Sequence, residues 1–270
     1  MILIDGKKAA AELREELKLE VSELKSKYNK VPGLTVILIG DMTPSQIYVR
    51  NKEKSANEVG LKSEVIKYPD TVEEKTVLEK IRELNQDEKV SGILVQLPLP
   101  NHIDKQKVIE TIDPSKDVDG FHPENLGRLV QGRLDGMLPC TPSGVMRMLQ
   151  WAGIELSGKR AVVLGRSRIV GNPQALLLGA KGADATVTVV HSRTRDAQSV
   201  CSEADVVVAA VGRPEMVTSE WIKEGAVVID VGINRVDDST RERGWRLAGV
   251  VHPEVAEKAS CLSPVPGVVG

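Results

Sequence analysis

Tyr48 and Lys52 stand four residues apart in Tyr48-Val49-Arg50-Asn51-Lys52, a segment that reads as helix. Side chains at that interval share one helix face, so a phenol and an amine can reach into the same cleft. Alone, such a pair most often forms half of a solvated face. Three other features give it company: an apolar strand ending in Gln96, an acidic turn at Asp117-Val118-Asp119-Gly120, and a glycine-punctuated loop from Gly165 to Gly171. Together they make a site, with groups for proton transfer on one side and a loop for a nucleotide on the other.

The elements that must position these groups alternate along the chain. From Lys8 to Tyr28, apolar residues at Ala10, Leu13, Leu17, Val21, Leu24 and Tyr28 recur every three or four positions, an amphipathic helix stopped by Pro32-Gly33. Leu34 to Ile39 reads as a buried strand, the Tyr48–Lys52 helix follows to about Gly60, and Ser63 to Ile66 is a short strand. Thr71-Val72-Glu73-Glu74 has the pattern of a capping box opening a helix to about Leu84. Val90 to Leu97 is a further strand, broken by Pro98 and Pro100. The order predicts a parallel sheet with helices packed on it.

Between Asp113 and Pro142 the periodicity lapses into turns rich in Gly, Pro and Asp, the kind of long loop that tends to carry function. A helix from Ser143 to Trp151 then opens a second α/β series, with strands at Ala161–Leu164, Thr186–Val190, Val206–Ala210 and Val227–Val231 and a helical segment at Pro173–Leu178. The fold class is therefore α/β: two α/β domains with a cleft between them, the second a Rossmann-like doubly wound parallel sheet. Residues 1–138 are expected to form the first domain, with 260–270 returning to it, and 139–259 the second.

Composition narrows the partners. Basic and acidic residues nearly balance, 36 against 38, so no cationic excess points to nucleic acid. Seven aromatic rings in 270 residues leave little for base stacking. Cys140, Cys201 and Cys261 are widely spaced and odd in number, which fits a reducing cytoplasm better than a disulfide framework or a zinc site. His122 and His191 lack ligand spacing, so no metal is expected. No apolar run is long enough to span a bilayer, and no signal peptide is recognisable, which predicts a soluble, cytoplasmic protein without a membrane partner.

The loop Gly165-Arg166-Ser167-Arg168-Ile169-Val170-Gly171 follows a strand and precedes a helix, where a doubly wound sheet places a phosphate against backbone N–H groups. It departs from the usual G-x-G-x-x-G: Ser167 replaces the second glycine and the last glycine is displaced. A plain β–α turn could look the same, but the next strand lies one unit further on. That strand runs into His191-Ser192-Arg193-Thr194-Arg195 without the carboxylate that would hold the ribose hydroxyls of NAD. Hydroxyls and cations suit a 2′-phosphate, so NADP is the expected cofactor. Ser192 and Arg166 are stronger candidates than Arg193 and Arg195, which equally suit solvated surface. Gly212, and Gly232-Ile233-Asn234 after Asp230-Val231, sit where backbone can approach a flat ring.

Taken together, Tyr48 to Lys52, Val95-Gln96-Leu97-Pro98, Lys116-Asp117-Val118-Asp119-Gly120, Pro139-Cys140-Thr141-Pro142, Gly165 to Gly171, Asp230 to Asn234 and Pro264-Val265-Pro266-Gly267 occur in the order and spacing of one family. Over essentially its whole length the chain resembles the bifunctional methylenetetrahydrofolate dehydrogenase/cyclohydrolases. The resemblance implies oxidation of 5,10-methylenetetrahydrofolate by NADP⁺ and hydrolysis of the methenyl product to 10-formyltetrahydrofolate, with folate in the cleft and usually a homodimer. It matches Lys52 to the catalytic lysine, Tyr48 to the tyrosine over the substrate, Gln96 to the lysine's partner and Asp119 to the pterin anchor. Leu97, Pro98, Pro264 and Gly267 are implied folate contacts. Thr141, Gly165, Arg166, Ser167, Ile169, Val170, Ser192, Gly212, Gly232, Ile233 and Asn234 are the implied cofactor contacts.

Simpler roles stand beside these. Asp117 is expected to cap the Asp-Gly turn, Gln96 could satisfy backbone at a strand end, Cys140 is expected to be a small buried residue, and Tyr68 a half-buried strand residue. Two departures from the family pattern stand out. Val268 replaces a glycine, and the last helix usual after Pro-Met-Thr has no counterpart before Gly270. The competing readings are a monofunctional NAD(P)-dependent dehydrogenase and a non-catalytic binder of folate and nucleotide.

Overall fold

The structure, a computed structural model, describes residues 1–267, so Val268 lies outside the described residues. The chain divides into two compact units: Met1–Ala9 with Pro139–Gly270, and Ala10–Leu138. It opens with β1 (Ile2–Leu3) and α1 (Gly6–Tyr28). The predicted stripe of α1 is only half covered: Leu13, Leu17 and Val21 are partly buried, while Leu24 and Tyr28 are exposed. Among the described residues no helix is long and apolar enough to cross a membrane.

In Ala10–Leu138, β2 (Gly33–Ile39), α2 (Thr43–Glu58), β3 (Lys62–Tyr68), α3 (Glu74–Gln86) and β4 (Gly92–Val95) form a parallel sheet in the order β3-β2-β4. Alternation along the central strand explains the layers. Ile37 and Ile39 pack with Val77, Ile81 and Leu84 of α3. Val36 and Leu38, on the opposite face, pack with Val49 of α2. A fully buried side chain such as Ile37 or Ile81 contributes about 1.5–3 kcal/mol. The expected capping box does not form: α3 starts at Glu74, its N-cap is Glu73, and no side chain caps it. The Glu74 carboxylate instead accepts the Asp104 N–H (2.7 Å) and pairs with Lys107 (3.0 Å), tying it to α4 (Lys105–Thr111). A last helix, α5 (Pro123–Val130), follows the acidic turn.

From Pro139 onward come α6 (Cys140–Trp151), β5 (Arg160–Leu164), α7 (Gly171–Gly179), β6 (Thr186–Val190), α8 (Ala197–Ser202), β7 (Val206–Ala209) and β8 (Val227–Asp230). A small antiparallel hairpin, β9 (Asn234–Asp237) and β10 (Trp245–Ala248), precedes β11 (Cys261–Leu262). The six-stranded sheet has the order β1-β11-β8-β7-β5-β6, and every pair is parallel. Strand order reverses beside β5, with β6 on one side and β7 on the other. Such a switch point is where open parallel sheets bind ligands at their carboxyl ends.

The ends of the chain correct one expectation. The described part of 260–270 groups with the unit from Pro139, and residues 1–9 group there with it: β11 pairs with β8, and β1 pairs with β11. Ile4 is fully buried in the core formed by Val163, Val208 and Ile229. Two-residue strands carry no periodicity to read, so hydrogen bonding rather than pattern assigns them.

Cys140 is also corrected, being exposed rather than buried. The buried stripe of α6 runs through Pro142, Val145, Met148 and Leu149, and the first residue of the helix lies off it. Cys201 and Cys261 are buried, and burial pushes the Cys201 thiol up to about 11. Because the thiolate is the reactive form, iodoacetamide at pH 8 is expected to label Cys140 well before Cys201 in the folded protein, as peptide mass mapping would read. Equal labelling of both would contradict this packing.

Candidate active site

Lys52 owes its position to the stripe on which it sits. Ser45, Val49 and Ala56 of α2 are buried, and Lys52 falls between them at helical spacing, half-buried. Its Nζ donates to Gln96 Oε1 at 3.2 Å. Gln96 follows the last residue of β4 and stays in the ladder through its N–H to Ile37 O (2.9 Å). Its Nε2 donates to Leu97 O (2.8 Å), which turns the amide oxygen toward the amine. Tyr48 lies at the outer margin of the same helix and is 39% exposed. Leu97 is half-buried and Pro98 exposed, directly beyond Gln96.

The acidic turn is fastened from three sides. Lys116 Nζ donates to the carbonyls of Leu84 (3.0 Å), Asn85 (2.8 Å) and Asp87 (2.8 Å), a cation on the C-terminal end of α3. The Ile93 N–H donates to Lys116 O (2.7 Å), so the segment extends the sheet beside β4. Gly92 is required there, since a Cβ would collide with Val118. Asp117, buried as a turn residue, accepts from the His122 N–H (2.8 Å) and Asn125 Nδ2 (3.0 Å). Gly120, at φ +68°, closes the turn onto Asp117 O (3.0 Å). Asn125 was not singled out from sequence, and Lys116 was read only as part of the Lys116-to-Gly120 motif, with no role of its own.

That frame leaves Asp119 beside Val95, Leu97, Ile109 and Phe121, around a cavity of about 10 Å³. Burial raises the Asp119 pKa above the ordinary carboxylate value; the Lys52 charge opposes this and the Asp117 charge adds to it. Lys52, Gln96 and Asp119 thus gather at one end of the three-stranded sheet: an amine, an amide oxygen and a carboxylate partly withdrawn from water.

In the other unit the candidate loops line the carboxyl edge of four neighbouring strands: Ser192 after β6, Gly165 to Val170 after β5, Gly212 after β7, and Gly232 to Asn234 after β8. Three steps between strands span roughly 14 Å. Gly165 has φ +121°, and a Cβ there would collide with Ala210 O. A Cβ on Gly171 would collide with Gly165 O. Ser167 Oγ accepts the N–H groups of Val170 (3.1 Å) and Gly171 (3.2 Å), so the hydroxyl that replaces the second glycine closes the turn itself. This leaves Arg166, Arg168 and Ile169 exposed around the loop.

After β6, the His191 N–H donates to Thr194 Oγ1 (3.0 Å) and the Thr194 N–H to His191 O (2.9 Å), a tight turn that exposes Ser192 and Arg193. Ile233 is 40% exposed, and Asn234 Nδ2 donates to Ala248 O (3.4 Å). Thr141 is half-buried in the first turn of α6. Pro264 and Gly267 follow β11 in this unit, where Gly267 has φ +119° and a Cβ on it would meet Lys7 Cε at 3.0 Å.

A parallel sheet with a glycine loop at its switch point defines a dinucleotide-binding α/β protein, here joined to a second α/β unit that carries an amine, an amide and a carboxylate. Residues 4–119 match the tetrahydrofolate dehydrogenase/cyclohydrolase catalytic domain and residues 139–270 the NAD(P)-binding domain of the same enzymes. The chain belongs to the tetrahydrofolate dehydrogenase/cyclohydrolase family. It is 61% identical over 270 residues to the bifunctional protein FolD of Pelagibacter ubique, covering 100% of this chain and 93% of that one. Its fold matches the crystal structure of the bifunctional FolD enzyme of Campylobacter jejuni with a TM-score of 0.94 at 46% identity, covering 100% and 93% of the two chains. The Trypanosoma brucei enzyme, solved with NADP cofactor and inhibitor, matches at 0.92 and 42% identity, covering 99% and 91%. Membership gives the chain the family's two activities, dehydrogenase and cyclohydrolase.

Proposed function

We propose that the chain oxidises 5,10-methylenetetrahydrofolate with NADP⁺ and opens the methenyl product to 10-formyltetrahydrofolate, Lys52 moving the protons of the second step. The observation that carries this reading is the Lys52–Gln96 hydrogen bond, made beside a half-buried Asp119 whose pKa burial raises. In ring opening, water adds to the methenyl carbon and loses one proton, and the adduct's hydroxyl loses the second as the formyl C=O forms; the carbon–nitrogen bond breaks as that nitrogen gains one proton, and the other is released to solvent. Nζ of Lys52, aimed by a neutral amide that makes no ion pair with it, is the group that accepts and returns the proton. Asp119 accepts hydrogen bonds from the pterin amino and ring N–H groups, Tyr48 covers the aminobenzoyl ring, and Leu97 and Pro98 wall the site.

When bound, NADP⁺ supplies the hydride acceptor of the first step, a reaction that asks the protein for placement more than for acid–base help. The edge residues fit such a cofactor. The glycine cradle at Gly165 and Gly171 admits backbone where a Cβ would not fit, and the β6 turn offers Ser192 with no carboxylate before Asp196. The Arg166 guanidinium and Ser192 hydroxyl are assigned to the 2′-phosphate. Thr141, Ile169, Gly212, Gly232, Ile233 and Asn234 are assigned to the rest of the cofactor, with Ser167 and Val170 shaping the loop. The family resemblance further supports a homodimer acting in the cytoplasm, which sedimentation at twice the chain mass and fractionation of cells would check.

The test is to supply 5,10-methylenetetrahydrofolate with NADP⁺ or NAD⁺ and quantify methenyl and 10-formyl products. NADP⁺-dependent 10-formyl product above spontaneous hydrolysis is expected. Replacing Arg166 and Ser192 together by alanine should lower the NADP⁺-to-NAD⁺ ratio of kcat/KM about tenfold or more, as loss of charge-assisted bonds to a phosphate predicts. An unchanged ratio would place the preference elsewhere. Product with NAD⁺ alone would favour the monofunctional or NAD-linked alternative.

A further inference from the structure

Among the described residues two carboxylates are buried, Asp117 and Asp230, and only the first has its place in the folate-side frame. Asp230 ends β8 at the edge where the cofactor loops gather. Its Oδ1 accepts the N–H groups of Gly232 (2.9 Å) and Val250 (3.0 Å), and its Oδ2 that of Val251 (2.8 Å). Its own N–H donates to the buried Ser263 Oγ (2.7 Å). Burial raises the Asp230 pKa while the three N–H bonds lower it. A carboxylate removed from water is costly unless its lone pairs are filled, and here backbone donors fill them.

The surrounding glycines match this arrangement. A Cβ on Gly249 would collide with the Asp230 carboxylate, and one on Gly232 with Val250. The segment held by the carboxylate is also tied to the chain after Gly212: the Glu215 N–H donates to Gly249 O (2.9 Å), Val217 N–H to Val250 O (3.0 Å), and His252 N–H to Val217 O (2.8 Å). Gly232–Asn234 after β8 and the segment after Gly212 are therefore joined through Gly249–Val251, with the Asp230 carboxylate bonding Gly232 and both Val250 and Val251, beside the pairing of Asn234 with Ala248 in the hairpin.

We propose that Asp230 is a positioning residue of the dehydrogenase, locking the Gly232–Asn234 loop to the Gly249–Val251 segment so that both cofactor loops hold one geometry. This rests on the assignment of those loops to NADP above. Asparagine has the same shape, but its amide N–H₂ cannot accept from a backbone N–H, so at least one of the three bonds is lost in Asp230→Asn.

The experiment compares the parent with Asp230→Asn by two readouts: the NADPH Kd from fluorescence titration, and hydrogen exchange at the Gly232, Val250 and Val251 amides. Exchange at those amides should quicken, and Kd should rise about tenfold or more, out of proportion to any change in cyclohydrolase kcat, which needs no cofactor. Gly249→Ala, which displaces the carboxylate without removing it, should show the same pattern and serves if Asp230→Asn does not fold. Faster exchange with an unchanged Kd would overturn the proposal, as would unchanged exchange. A parent that binds no NADPH would instead overturn the assignment of the loops to that cofactor.

Discussion

Lys52→Met is expected to lower kcat for ring opening ~10²–10⁴-fold, the usual range for removing a general acid–base group, while the folate stays bound. Methionine keeps an unbranched apolar stem at this half-buried position, between the buried Val49 and Ala56 of α2. What disappears is Nζ, and with it the bond to Gln96 Oε1. Gln96 keeps its own anchor on Leu97 O, so its side chain need not collapse into the space. A second effect follows from charge. The Lys52 cation holds the Asp119 pKa down against burial, so removing it lets that pKa rise further. Folate binding that needs the ionised Asp119 should then fail at a higher pH in the variant than in the parent. The check is single-turnover hydrolysis of the methenyl substrate beside a folate titration across pH. Ring opening at the parental rate would remove Lys52 from the mechanism.

The reasons why parts of this architecture were legible in sequence are local ones. Gln96 ends an uninterrupted apolar run, Gly165 and Gly212 each follow another, and Gly232 follows one broken only by Asp230, so the carboxyl ends of buried strands could be located from patterning alone. The Tyr48–Lys52 spacing was legible as a helix face, although Lys52 lies on the buried stripe and Tyr48 at its margin. Contacts distant in sequence were not. The Glu74 carboxylate, 30 residues from Asp104, prefers that backbone N–H to its own helix end, which defeats the local capping pattern. The pairing of β1 with β11 joins chain segments some 260 residues apart through two residues each. Asp230 looked like the polar end of a strand, because its three partners include two that lie 20 and 21 residues downstream.

Gly171→Ala should weaken cofactor binding roughly 10–100-fold, the equivalent of about 1–3 kcal/mol of overpacking. Its Cβ would strike Gly165 O and come within 2.8 Å of the Arg166 N, and all of these are backbone atoms with no rotamer to change. Relief requires moving the loop away from α7, which stretches the two bonds that Ser167 Oγ accepts from the Val170 and Gly171 N–H groups. Gly212→Ala separates this cause from contact with the ligand. Nothing lies within 4 Å of a Cβ at Gly212, so the protein itself tolerates the methyl group. Weaker NADPH binding in Gly212→Ala would therefore report the cofactor pressing against that backbone. An unchanged Kd there, beside a raised one in Gly171→Ala, would mean that the loop after β5 is the stricter cradle. Tight binding in both variants would contradict the assignment of this edge to the cofactor, since neither a distorted loop nor an added methyl group would then have been felt.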